Sequence, residues 1–323
     1  MKTACIYHSI DLDGWMSAAI VKYWWENSPN AIDNNNDKLD FIGYNYGQPI
    51  PDLSEYDKVI ICDISFPKDI MYLEANCSDR ELIWIDHHIS AISDSKIDKF
   101  YQYDKTKGLR DNNFAACELT WKYFFPNEPM PEIVRLLGIY DSFRHKGTEE
   151  EQKVLEFQYG ARSCISNCEE AYRELCDNIY CKHTELDIWE KGKSIYKYLC
   201  TEAKQIYKNG FPINIGIGIK YNVGCDPITS NAELQIHSYP HSFICINKER
   251  FNPINFNIDY HKDGYDGCAC FCFDGKQYNF SLYNDNGKVD CSAIAKQYGG
   301  GGHFSAAGFR LSSEEFNKLI NNK

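Results

Sequence analysis

Acidic and imidazole side chains recur in this sequence in short clusters suited to holding divalent cations. They are His8, Asp11 and Asp13 in HSIDLDG, Asp63 in KVIICDIS, Asp86, His87 and His88 in ELIWIDHH, and Asp141 in GIYDSF. Taken singly, most have a structural reading. Asp11 and Asp13 suit a turn and the N-cap of a following helix, the DHH run a strand-end turn, and Asp141 a local cap. Asp63 resists such a reading, because a lone carboxylate in an apolar strand costs several kcal/mol unless it is neutralised, paired or metal-bound. Brought into one pocket, these side chains would repel and desolvate one another unless cations were present, so a metal cluster is the economical explanation. Mixed carboxylate and imidazole ligands suit Mn²⁺, with Mg²⁺, Co²⁺ and Zn²⁺ as alternatives. Two ions roughly 3.5–4 Å apart need a carboxylate that reaches both, and Asp63 is the natural bridge. An EF-hand is excluded by Trp15, which stands where a third oxygen ligand is required.

These groups converge only if the strands that carry them lie side by side. The first half alternates β-rich runs with helical stretches, the pattern of an α/β domain on a parallel sheet. Strands are expected at Ala4–Tyr7, around Phe41–Tyr44, at Lys58–Ser65 and at Glu81–His88, with helices at Trp15–Asn27 and Pro67–Asn76 and a polar loop at Ile32–Asp40. Unbroken β-branched runs such as KVIIC imply strands buried on both faces. Ligand sites of open parallel sheets gather at the carboxyl ends of strands, where His8, Asp63 and Asp86 fall. The middle of the chain is α-rich: Asn113–Tyr140 with a break at PNEPMP, then Glu149–Ala161, Cys168–Ile179 and a long helix over His183–Asn209 that ends in Asn-Gly. Two domains are expected, 1–209 and 210–323. The second carries strands around INIGIGIKYNV, SFICINKE, GCACFCF and QYNFSLYN, and a helix opening after Asp290.

Composition narrows the function. A net charge of −12, from 34 basic and 46 acidic residues without a basic block, disfavours a grip on long nucleic acids, which draws on many phosphate contacts. A phosphate-bearing partner is therefore small or held through metal ions. No apolar run approaches a membrane span and charged residues come early, so a cytoplasmic, membrane-free protein is expected. The 15 cysteines lack a CxxC pair and read as reduced thiols; Cys268, Cys270 and Cys272 alternate along one strand face, a row that cannot converge tetrahedrally on zinc. The run Gly299, Gly300, Gly301, Gly302, His303 lets backbone N–H groups approach an anion without obstruction, with the imidazole as a further donor, and reads as a phosphate cradle. It lacks the GK[ST] ending of a nucleotide-triphosphatase loop.

The segments HSIDLDG, ICDIS, WIDHH and IYDSF resemble, in order, motifs one to four of the DHH phosphoesterases, and GGGGHFSAAGF resembles the GGGH signature of their C-terminal associated domain. The resemblance spans nearly the whole chain. It implies a DHH domain followed by a smaller α/β domain, with the active site in the cleft between them. It further implies that His8, Asp11 and Asp63 hold one divalent ion, and that Asp13, Asp63, His87 and Asp141 hold a second. Asp86 would orient a histidine ligand, leaving His88 to meet the phosphate, and the ions would activate a bridging water for in-line attack. Two departures stand out. Relatives that cleave short oligonucleotides often carry Arg after Ser-Leu, where this chain has Tyr283 and Asn284; Arg310, Lys296, Arg144 and Arg162 are conceivable substitutes. Asp11 follows His8 by three residues rather than four.

The expected function is a metal-dependent phosphodiesterase that degrades short oligonucleotides or linear dinucleotides to mononucleotides. The alternatives are hydrolysis of pyrophosphate or polyphosphate, a RecJ-like single-strand exonuclease, and a nucleotide-binding regulatory module without turnover.

Overall fold

The computed structural model of the chain describes residues 1–27, 37–89, 91–92, 106–181, 184–225, 232–249 and 251–321, with backbone alone for 184, 217–225 and 232–239. Residues 32–36 of the expected polar loop, and His183 at the start of the expected long helix, lie outside the described residues. Two compact units divide the chain, Met1–Tyr196 and Lys197–Lys323.

In the first unit, β1 (Lys2–His8), β2 (Lys38–Tyr44), β3 (Lys58–Cys62) and β4 (Glu81–Ile85) form a parallel sheet in the order β2-β1-β3-β4. Alternate residues go to opposite faces, as the pleat requires. Cys5, Ile60, Cys62, Ile83 and Ile85 pack with Val21 of α1 (Leu12–Asn27) and Leu119 of α3 (Ala116–Phe124). Ala4, Ile6, Val59, Ile61, Leu82 and Trp84 pack on the other side with Met71 of α2 (Lys68–Ala75). Burial on both faces is why KVIIC and ELIWI are nearly all apolar. Beyond α1, a second core joins Met16, Ile20 and Tyr23 to α4 (Glu132–Asp141), α5 (Glu151–Cys164) and α6 (Cys168–Cys181) through Ile133, Val134, Phe157 and Leu175. The helix α7 (Thr184–Lys208) spans the division between the units.

From β1 the sheet grows to β2 on one side and to β3 on the other, so the reversal of winding lies between β1 and β3. This is where doubly wound sheets open a crevice. Register then does the positioning. Tyr7 pairs with Cys62 and Cys62 with Ile85, so the next residues, His8, Asp63 and Asp86, emerge side by side. Two strands are shorter than their apolar runs suggest. β3 ends at Cys62 rather than Ser65 because Asp63 takes a left-handed conformation, with φ of 61°, and β4 ends at Ile85, leaving Asp86–His88 outside it.

The second unit is a mixed sheet in the order β5-β6-β7-β8-β10-β9, formed by β5 (Phe211–Cys225), β6 (Ala232–Asn247), β7 (Gly267–Phe273), β8 (Tyr278–Tyr283), β9 (Gly301–Gly302) and β10 (Ala306–Leu311). One face, with Phe243, Phe271, Phe280, Leu282 and Phe309, packs on Ile294 of α8 (Cys291–Gln297) and Phe316 of α9 (Ser313–Asn321). Asp290 caps α8, accepting from the Ala293 N–H at 3.0 Å. On the strand CACFCF, Cys268 and Cys270 are buried with their sulfurs 3.8 Å apart, and every cysteine whose side chain is described is a free thiol. β9, β10 and α9 escaped the sequence reading, because a glycine pair carries no periodicity and SAAGFRL is short. Among the described residues, no helix is long and apolar enough to cross a membrane.

Candidate metal centre

The turn after β1 is built by its own side chains. Asp11 Oδ1 accepts the Gly14 N–H at 3.0 Å and caps α1, and the Trp15 indole N–H donates to Ser9 O at 3.0 Å. A Cβ at Gly14 would lie 2.0 Å from His8 O and 2.7 Å from His8 Cβ, so only glycine lets α1 start directly against the end of β1. Gly14→Ala is expected to destabilise the fold by about 1–3 kcal/mol and to weaken Mn²⁺ uptake, read from denaturant melts with and without the ion. An unchanged midpoint would refute the close-approach argument.

Asp13 has a role no local pattern signals. Its carboxylate accepts from Ala116 N at 2.9 Å and Cys117 N at 2.8 Å, capping α3 from more than a hundred residues away. Asp86 is fully buried and accepts from the backbone N–H groups of His87 and His88 at 2.8 and 3.1 Å, from the Trp84 indole at 3.3 Å, and from His88 Nδ1 at 2.8 Å. The histidine that Asp86 grips is therefore His88, not His87. Asp141 arrives as the last residue of α4.

The structure brings all eight residues together. His8 Nδ1 lies 2.9 Å from Asp11 Oδ2 and 3.4 Å from Asp63 Oδ2. His87 Nε2 lies 3.6 Å from Asp13 Oδ2, 3.3 Å from Asp63 Oδ1 and 3.4 Å from Asp141 Oδ2. His88 Nδ1 lies 3.9 Å from Asp63 Oδ1. Three sets could each hold an ion: His8, Asp11 and Asp63; Asp13, His87 and Asp141; and Asp63, His87 and His88. Asp63 presents one oxygen to His8 and the other to His87, the disposition of a bridging carboxylate.

Electrostatics oppose this arrangement in the absence of cations. Burial pushes the Asp63 carboxyl well above the usual range, and Asp13 and Asp11 push it further. Asp141 is raised by burial and by Asp13. Burial alone would lower His8, but the adjoining Asp11 and Asp63 carboxylates outweigh it and hold the imidazole at about 10. The same balance raises His87, mainly through Asp141 and Asp13, and His88, through Asp86. For Asp86 the penalty of burial is overcome by the His88 hydrogen bond, and its carboxyl is held low.

The donor set fits divalent cations on geometric grounds. Among the described residues, Asp63 Oδ1 and His8 Nδ1 are buried without a hydrogen-bond partner, although His8 Nδ1 is only 2.9 Å from a carboxylate oxygen. Close, misaligned donors of this kind are what two ligands of one ion require: bonds of about 2.1 Å at right angles place adjacent ligand atoms roughly 3 Å apart. A buried, unpaired carboxylate oxygen is otherwise a pure cost.

The other sequence-selected residues fall as follows. The Gly299 and Gly300 N–H groups donate to Lys296 O and Ala295 O at 3.1 and 2.9 Å, and Gly299, at φ of 76°, closes the C-terminus of α8 in left-handed backbone. A Cβ at Gly300 would lie 2.1 Å from Gly308 O. Gly301 and Gly302 form β9 against Gly308 and Ala307, and the His303 N–H donates to Ala306 O at 2.7 Å. The cradle is thus partly a helix stop and a hairpin, with its first two N–H groups committed to carbonyls. The His303 side chain is exposed and Tyr283 is half-buried on β8. Arg144 is hydrogen-bonded to the buried Glu118 and Arg162 lies over the Tyr140 and Tyr159 rings, so both have structural work. Arg310 lines a cavity of about 370 Å³ with Tyr298, Gly299, Gly300 and Gly308. One aromatic at the metal centre was not anticipated: Tyr46, whose ring centroid lies 6.1 Å from that of His8 and 6.4 Å from that of His88. The only trace of it in the sequence is a turn, YNYGQ, directly after a strand.

A parallel sheet with an Asp/His cluster at its carboxyl ends, followed by a mixed-sheet domain, is an α/β fold like that of the DHH phosphoesterases, and proteins of that family are among the solved structures that match nearly the whole chain. An exopolyphosphatase-related protein from Bacteroides fragilis matches over 99% of this chain and 90% of its own, with 14% identity and a TM-score of 0.51. A pGpG-specific phosphodiesterase from Vibrio matches over 99% and 96%, with 12% identity and a TM-score of 0.47. By sequence, an uncharacterized protein of Acanthamoeba polyphaga mimivirus is 24% identical over 323 residues, covering 95% of this chain and 67% of that protein. No family model matches the sequence.

Proposed function

We propose that this chain is a metal-dependent phosphodiesterase that hydrolyses short oligonucleotides or linear dinucleotides to mononucleotides. The observation that carries the reading is Asp63, a carboxylate 1% exposed with its two oxygens turned to different Asp/His groups. His8, Asp11 and Asp63 would hold one divalent cation, and Asp13, Asp63, His87 and Asp141 the other, Mn²⁺ suiting the mixed donors best. Such a pair supplies charge neutralisation for a phosphodiester and a lowered pKa for the attacking water. Asp86 keeps the proton on His88 Nδ1, so Nε2 is the nitrogen that exchanges a proton with the leaving oxygen. The second domain would contribute substrate grip through Gly301, Gly302, His303 and Tyr283. A small substrate is supported by the net charge of −12, which disfavours long polyanions.

The test is a panel assayed with Mn²⁺: linear dinucleotides, a longer single strand, 3′-phosphoadenosine phosphate, pyrophosphate and polyphosphate. Mononucleotide release from the dinucleotides, abolished by chelator, is expected. Preference for pyrophosphate or polyphosphate would replace the substrate class, and turnover surviving excess chelator would remove the metal mechanism.

A further inference from the structure

Tyr46 has no part in the metal cluster, yet it is fixed at its edge. It sits at the second position of a β-turn in which the Gln48 N–H donates to Asn45 O at 3.1 Å and Gly47 takes φ of 85°. Side chains lock that turn: Asn45 Oδ1 accepts the Tyr46 N–H at 2.8 Å and Gln48 Oε1 accepts the Asn45 N–H at 2.9 Å. The strand leading into it is tied to the metal loop, since the Ser9 N–H donates to Tyr44 O at 3.1 Å. Ser65, two residues beyond Asp63, lies on the phenol side of Tyr46 and favours its ionised form, against the burial and the Asp86 charge that raise it. The ring is tilted 59° to that of His8 and 82° to that of His88. Despite this anchoring, 52% of the residue is exposed.

An aromatic ring immobilised beside a phosphate-binding centre but left open to solvent gains little from its own burial. What it offers is a rigid planar surface, to which a nucleobase adds stacking at small further entropic cost. We infer that Tyr46 is a substrate-positioning residue, the platform on which the base next to the bound phosphate stacks, and that it gives this site its preference for nucleotides over bare phosphates. This rests on the phosphodiesterase reading of the centre, but it concerns recognition rather than turnover. Stacking tolerates any base, so the preference is for a base as such, not for one sequence.

Binding to the Mn²⁺-loaded full chain tests it directly, by calorimetry with adenosine 5′-monophosphate and with ribose 5-phosphate, which has the same phosphate and no base. Wild type should bind the nucleotide about tenfold or more tighter. Tyr46→Ala and Tyr46→Leu should lose that advantage and leave ribose 5-phosphate unaffected, whereas Tyr46→Phe and Tyr46→Trp should keep it. With a dinucleotide substrate the alanine variant should raise KM about tenfold with kcat within about threefold. Equal affinity for the two ligands in wild type, or equal losses for both in the variants, would overturn the inference. An absence of turnover on every substrate, with the base preference intact, would instead overturn the phosphodiesterase reading. The leucine variant keeps apolar bulk, so a fold defect confined to alanine does not blunt the test.

Discussion

Asp63→Asn is expected to make the metal-free protein more stable while abolishing Mn²⁺-dependent turnover. The substitution keeps the side-chain volume, and asparagine tolerates the left-handed backbone of this position, φ 61°, as well as aspartate does. What it removes is a buried carboxyl that burial, Asp13 and Asp11 together disfavour in its charged form. Relief of that repulsion is worth about 1–3 kcal/mol in a buried polar cluster, which for a chain of this size is several degrees in the thermal transition. The same change deletes a carboxylate that faces both His8 and His87, so activity should fall at least 10²–10³-fold, roughly as for loss of a principal electrostatic group, and added Mn²⁺ should no longer raise the melting temperature much. Calorimetric melts with chelator and with Mn²⁺ read both effects. A structural aspartate gives the opposite sign: a lower transition without metal and an undiminished gain with it.

Metal uptake should release protons, and its strength should climb with pH. His8, held at about 10, carries a proton at neutral pH in the metal-free protein, and its Nδ1 must shed it to become a ligand. Asp63 and Asp141 are also raised, mainly by burial and by Asp13, which likewise sets the proton in competition with the ion. Apparent affinity should therefore rise about tenfold per pH unit for each proton displaced. For stability the signs are as follows. His8 has a folded value above its ordinary 6.5, so its contribution is complete below that pH and is lost as pH rises through about 10. Asp63 and Asp141, raised above their ordinary 3.8, likewise support the metal-free fold in acid and withdraw that support as pH climbs. Mn²⁺ favours the deprotonated ligands, so the gain in melting temperature on adding it should widen from pH 6 to pH 9. Titrations of Mn²⁺ in two buffers of different ionisation enthalpy measure the proton count; identical heats in both would contradict the assignment of His8 as a protonated ligand.

Several features of the site were legible without coordinates. Asp63 interrupts the apolar run VIICDI, and a carboxylate among such residues needs a partner wherever the run lies. His8, Asp63 and the DHH run each follow a run with strand character, and parallel strands bring their carboxyl ends to one edge. The glycine run was read for only part of its role. Glycine is demanded equally by an anion cradle, a helix stop and a close strand crossing, and the commitment of the Gly299 and Gly300 N–H groups to α8 carbonyls depends on where that helix ends.

Residue type and spacing by themselves determined the α/β class, the strands buried on both faces, and the eight acids and histidines that share one site, because apolar periodicity and the cost of unpaired charge act locally along the chain. Only the tertiary structure decided which partner each of them has. That Asp13 caps a helix more than a hundred residues away, that Asp86 grips His88 rather than His87, and that Tyr46 stands beside His8 and His88 all follow from strand register and loop path. These are set by the packing of the whole unit, and no segment encodes them alone.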